Sequence, residues 1–87
     1  MEIELKVNNN MGIHARVAAR IAETVRKYDC EVTLSKDKIS AAGDSVLEIL
    51  TLGAPRGTMI KACATGPRGQ EALAELQKLF AADFGEY

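Results

Sequence analysis

The apolar residues of this chain change period several times along its length, and few folds accommodate such a succession. Residues 2–7, EIELKV, alternate polar and apolar, with Ile3, Leu5 and Val7 on one side, as a half-buried strand requires. Over residues 15–27 the period lengthens. Val17, Ala18, Ile21, Ala22 and Val25 then share one face of a helix, opposite Arg20, Glu23 and Arg26. Alternation returns in residues 31–36, EVTLSK, with Val32 and Leu34 inward, and Asp37 supplies a turn into a short return strand over residues 38–42. In residues 44–50, DSVLEIL, Ser45 followed three positions later by Glu48 is a capping-box pattern for a short helix. Leu52-Gly53-Ala54-Pro55-Arg56-Gly57 closes that helix, and residues 58–64, TMIKACA, read as a strand. Gly66-Pro67-Arg68-Gly69 leads into a final helix to about residue 82, with Ala72, Leu73, Leu76, Leu79 and Phe80 on its buried face. Glu86 and Tyr87 read as a frayed end.

The order is therefore β-α-β-β-α-β-α. Helices gathered on one face of a largely antiparallel sheet give an α+β two-layer architecture. With 87 residues the chain has room for a single domain spanning 1–87. A net charge of −1 lacks the basic excess that nucleic-acid or membrane-surface binding usually requires. No apolar run approaches the ~18–20 residues needed to span a bilayer, and the opening MEIELKV has no charged-then-apolar export pattern, so a cytoplasmic protein is expected. Cys30 and Cys63, far apart and accompanied by a single histidine, argue against zinc and for two buried, reduced thiols.

That histidine, His14, lies where an Asn- and Gly-rich lead-in, Asn8-Asn9-Asn10-Met11-Gly12, gives way to helical periodicity. A helix start carries about half a positive charge and about four N–H groups without partners inside the helix, which suits an anion. His14 can present a ring nitrogen as nucleophile while the N–H groups of Ala15 and Val17 and the guanidinium of Arg16 address the same space. These residue types in four consecutive positions suggest transient phosphorylation of His14. A surface histidine without a role would occupy the same place.

The stretch Asn9-Asn10-Met11-Gly12-Ile13-His14-Ala15-Arg16-Val17-Ala18 resembles the signature N-x-L-G-L-H-A-R-P-A of HPr, the histidine phosphocarrier family of the phosphoenolpyruvate-dependent phosphotransferase system. Ser45-Val46-Leu47-Glu48-Ile49-Leu50-Thr51-Leu52-Gly53 is similar to that family's regulatory-serine helix. The resemblance implies an open-faced sandwich of four antiparallel strands and three helices. It also implies that His14 takes a phosphoryl group on Nδ1 from enzyme I and passes it to an enzyme IIA domain, with Arg16 steadying the phosphate. Ile13, Leu47 and Leu50 would contact these partners, and Ser45 would be phosphorylated by an HPr kinase/phosphorylase. No cofactor or metal is implied, and the carrier would act as a monomer.

Two positions depart from the family pattern. Val17 stands where the family has Pro, and it keeps an N–H donor at the helix start. Glu48 stands where a Gly is usual and adds a carboxylate to the expected docking patch. Val46, Ile49 and Leu50 can face the core, leaving Leu47 exposed. Two further readings fit the same residues: a regulatory, nitrogen-type relative, or a docking module of the same fold that transfers no phosphate.

Overall fold

The computed structural model describes residues 1–85, and the frayed end expected at Glu86 and Tyr87 lies outside them. The elements follow the order anticipated from periodicity: β1 (Glu2–Lys6), α1 (Ala15–Arg26), β2 (Glu31–Lys36), β3 (Ile39–Ala42), α2 (Val46–Leu50), β4 (Met59–Thr65) and α3 (Gly69–Ala81). A short 3-10 turn, Asp83–Gly85, follows α3.

The four strands form one antiparallel sheet in the order β1-β4-β2-β3. Register places Ile3, Ala62, Leu34 and Ala41 in one row across it, and Glu2, Cys63, Thr33 and Ala42 in the next. Because successive side chains alternate between faces, the first row meets the helices and the second belongs to the uncovered face. This two-sided partition is why Val32 and Leu34 are buried while Glu31 and Thr33 are exposed. Cys63 therefore sits half-buried on the open face, and Cys30 is half-buried after α1. Both thiols are free, but neither is a core residue as expected.

One apolar cluster holds the layers together. The stripe of α1 enters it whole, with Val17, Ala18, Ile21, Ala22 and Val25 all buried. Fully burying side chains the size of Val and Ile contributes about 1.5–3 kcal/mol each. Around the C-terminus of α1, Lys27 pairs with Glu75, which also accepts from the Tyr28 hydroxyl, and Arg68 lies 5.0 Å over the Tyr28 ring. α3 ends at Ala81. Asp83 and Phe84 then adopt left-handed φ values of 53° and 57°, which turn the Phe84 ring inward. That ring is fully buried and meets Phe80 edge-to-face at 4.6 Å.

Candidate functional site

The approach to His14 is fixed before the helix begins. At the end of β1, Val7 N–H donates to Thr58 and Gly57 N–H donates to Val7. The next loop closes on itself: Gly12 N–H donates to the Asn9 carbonyl at 3.1 Å, and the Asn9 side-chain amide donates to the Gly12 carbonyl at 2.8 Å. Ile13 N–H then donates to the Ala54 carbonyl at 2.9 Å. Here only glycine fits. Gly12 has φ +68°, and a Cβ there would stand 2.5 Å from the Ala54 oxygen and 2.8 Å from Pro55 Cα. A second link, from Arg56 Nη1 to Asn10 Oδ1 at 2.9 Å, joins the same two segments.

His14 is itself the N-cap of α1, extended at φ −120° and ψ −176°. Its carbonyl accepts the first bond of the helical ladder, from Ala18 N–H at 2.8 Å, and its ring makes no capping bond to the helix. The N–H groups of Ala15, Arg16 and Val17 precede that first bond and have no acceptor within the helix. The first turn itself, which begins Ala15-Arg16-Val17, contains no acidic residue and one guanidinium, at Arg16. His14 is half-buried, Ala15 and Arg16 are exposed, and the Val17 side chain is fully buried in the core. Val17 thus replaces the family proline with core packing while its backbone donor stays at the helix start. The structure brings His14, Ala15, Arg16 and Val17 together on one turn, as the spacing predicted.

The apolar residues expected to dock partners divide by degree of burial. Ile13 is half-buried against the core, Leu47 is 79% exposed, and Leu50 is 36% exposed. The expectation that Val46, Ile49 and Leu50 all turn inward needs correction. Ile49 is fully buried and Val46 is half-buried against the core, but Leu50, about 100° further round the helix than Ile49, lies at its exposed edge. Met11, three residues before His14, is a further exposed apolar side chain, at 72%. The signal for it was present in the sequence as a large apolar residue within a loop of asparagines.

Ser45 is the N-cap of α2 and half-buried; its Oγ accepts from Glu48 N–H at 3.2 Å. The reciprocal arm of the expected capping box is absent from Ser45. Glu48 Oε1 instead accepts from Ala42 N–H at 2.9 Å, at the end of β3. Ser45 N–H is already committed to the Ala42 carbonyl at 3.1 Å, which leaves the neighbouring N–H as the available donor. The carboxylate expected to project into the docking patch is therefore tied toward the sheet. The segment that leads into α2 is held to α1 by Arg26, whose Nη2 donates to the Asp44 carbonyl at 2.6 Å. Among the described residues, no group of three His, Cys, Asp or Glu could hold a metal ion. No helix among the described residues is long and apolar enough to cross a membrane.

Comparison with known proteins agrees with this geometry. A family model described as the PTS HPr component phosphorylation site matches residues 1–82. The chain is 37% identical over 83 residues to phosphocarrier protein NPr of Escherichia coli, covering 94% of this chain and 92% of that one. It is 33% identical over 86 residues to phosphocarrier protein HPr of Xylella fastidiosa, covering 99% and 97% respectively. Among solved structures, HPr-C-His from Thermoanaerobacter tengcongensis superposes with a TM-score of 0.94 at 31% identity, covering 100% of this chain and 98% of that one.

Proposed function

The chain belongs to the HPr family of phosphotransferase-system phosphocarriers, and from that premise we propose that His14 is the residue that carries the phosphoryl group. The observation that carries the proposal is the place of His14 as N-cap of α1, with Arg16 in the first turn. In the reaction, the Nδ1 lone pair of His14 attacks phosphorus in phosphorylated enzyme I. A P–N bond forms as the bond to the donor breaks, and its electron pair leaves with the donor. Transfer to an enzyme IIA domain repeats the step with His14 as leaving group. The N–H groups of Ala15 and Val17 and the Arg16 guanidinium stabilise charge on the equatorial oxygens, where positioning and electrostatics supply most of the catalysis.

Partners dock on Ile13, Leu47 and Leu50, a small surface suited to brief encounters. Ser45 is the regulatory position. Phosphorylation by an HPr kinase/phosphorylase would place negative charge beside Leu47, close in sequence to Asp44 and Glu48, and weaken docking. The carrier works in the cytoplasm as a monomer. The name NPr borne by the Escherichia coli relative supports a second reading, in which the phosphate on His14 signals in a nitrogen-type branch and does not feed sugar uptake.

Incubation with enzyme I and radiolabelled phosphoenolpyruvate should load the chain with acid-labile label, which a IIA domain then removes. His14→Ala should take up none. Equal loading of that variant would refute the assignment. Binding to enzyme I without any loading would establish a docking module instead. Unloading by IIA domains of one branch and not the other decides between the two carrier readings.

A further inference from the structure

Asn9 and Thr24 are the buried polar side chains among the described residues. Thr24 is accounted for locally, since its hydroxyl donates to the Arg20 carbonyl one helical turn back at 2.9 Å. Asn9 is different. It is 1% exposed, its Nδ2 donates to the Gly12 carbonyl, and its Oδ1 is buried with no hydrogen-bond partner. Buried polar atoms are nearly always paired, because an unpaired one loses its hydration without compensation. An apolar side chain of similar size would fill the space without that loss, so packing does not account for an amide here. The amide does supply a donor aimed at one carbonyl, two residues before His14.

We infer that Asn9 is a positioning residue for His14, a role that rests on the phosphocarrier reading. The bond from Nδ2 fixes the Gly12 carbonyl, and with it the peptide plane that presents Ile13 N–H to Ala54 at 2.9 Å. That anchor in turn sets the extended backbone of His14, from which the ring projects at the start of α1. The outer face of the loop is held separately by Arg56 on Asn10. Asn9 therefore acts on the reacting ring through backbone geometry and does not touch the phosphate. Displacements of about 1 Å around a reacting group commonly cost up to about a hundredfold in rate.

The test compares Asn9→Leu and Asn9→Ser with the parent chain and with Thr24→Val, which removes the other buried polar group on a different element. Phosphoryl transfer from enzyme I is followed well below each melting temperature, and the His14 ring is observed by 1H–15N NMR in the unphosphorylated protein. The Asn9 variants should lose about tenfold or more in kcat with KM held within about twofold, since Leu47 and Leu50 are untouched. Their His14 ring signals should shift or broaden. Thr24→Val should lower the melting temperature and leave both kcat and the ring signals as in the parent. Asn9→Ser covers the case in which the leucine variant does not fold. Unchanged kcat and unchanged ring signals in a folded Asn9 variant would overturn the inference. If the parent itself accepts no phosphate, the carrier reading fails, and the ring signals alone decide whether Asn9 positions His14.

Discussion

Replacing Gly12 with alanine strikes the contact on which the delivery of His14 depends. At φ +68° a side chain is strained, and for residues other than glycine the left-handed conformation costs about 1–2 kcal/mol. The added methyl would stand 2.5 Å from the Ala54 oxygen and 2.8 Å from Pro55 Cα. Both are backbone atoms, so relief requires the two loops to separate, and overpacking of this kind costs about 1–3 kcal/mol. Separation also breaks the bond from Ile13 N–H to Ala54 at 2.9 Å, worth about 1 kcal/mol. Together the loss should be about 3–6 kcal/mol, against the total of about 5–15 kcal/mol typical of folded domains. Each 1 kcal/mol lowers the melting temperature of a domain this size by about 4–8 °C. Urea unfolding measures the free-energy loss, and amide exchange at Ile13 reports the broken bond. A loss under ~1 kcal/mol, with the Ile13 amide still protected, would refute the close approach of the two loops.

Three further outcomes follow from single side chains. Ser45→Ala removes the cap on α2 and should cost about 1 kcal/mol in urea unfolding, a large effect for a helix of five residues. Leu47→Asp changes a residue that is 79% exposed; stability should hold within about 0.5 kcal/mol while KM for enzyme I rises about tenfold or more. Hydrogen bonds from Lys27 and Tyr28 hold the Glu75 carboxyl below the ordinary carboxylate range. Its stabilising contribution is therefore complete above that range and is lost as pH falls through the lowered value. Glu75→Gln should accordingly flatten the acid limb of a stability–pH profile.

Much of this molecule could be read in its letters, and the exceptions have physical causes. Period two and period 3.6 located β1, β2, α1 and α3 because each buries one face and exposes the other, as Val32, Leu34 and the α1 stripe show. The turn at Asp37 and the cap at Ser45 located β3 and α2. The site turn was equally legible, since His14, Arg16 and Val17 are neighbours in sequence and a helix start has fixed geometry. What escaped depends on partners distant in the chain. The capping box at Ser45 acquired its second arm from Ala42, because β3 ends beside α2. Leu50 fits an inward position by spacing, but Ile49 takes the inward direction and Leu50, about 100° further round the helix, stays at the rim. Phe84 follows the last helical periodicity and enters the core through two left-handed residues that no pattern announces. Asn9 reads as a turn former and proves buried, because the loop it closes is covered by the segment around Ala54.

The claim at the centre of this account is that the imidazole at the start of α1 accepts the phosphoryl group. Long-range 1H–15N NMR of the chain, recorded before and after treatment with phosphoenolpyruvate and enzyme I, observes that atom directly. The expected result is a large shift of the His14 Nδ1 resonance with phosphorus coupling, accompanied by shifts of the Ala15, Arg16 and Val17 amides and reversed when a IIA domain is added. A phosphorylated chain whose His14 nitrogens keep their original shifts and coupling pattern would contradict it.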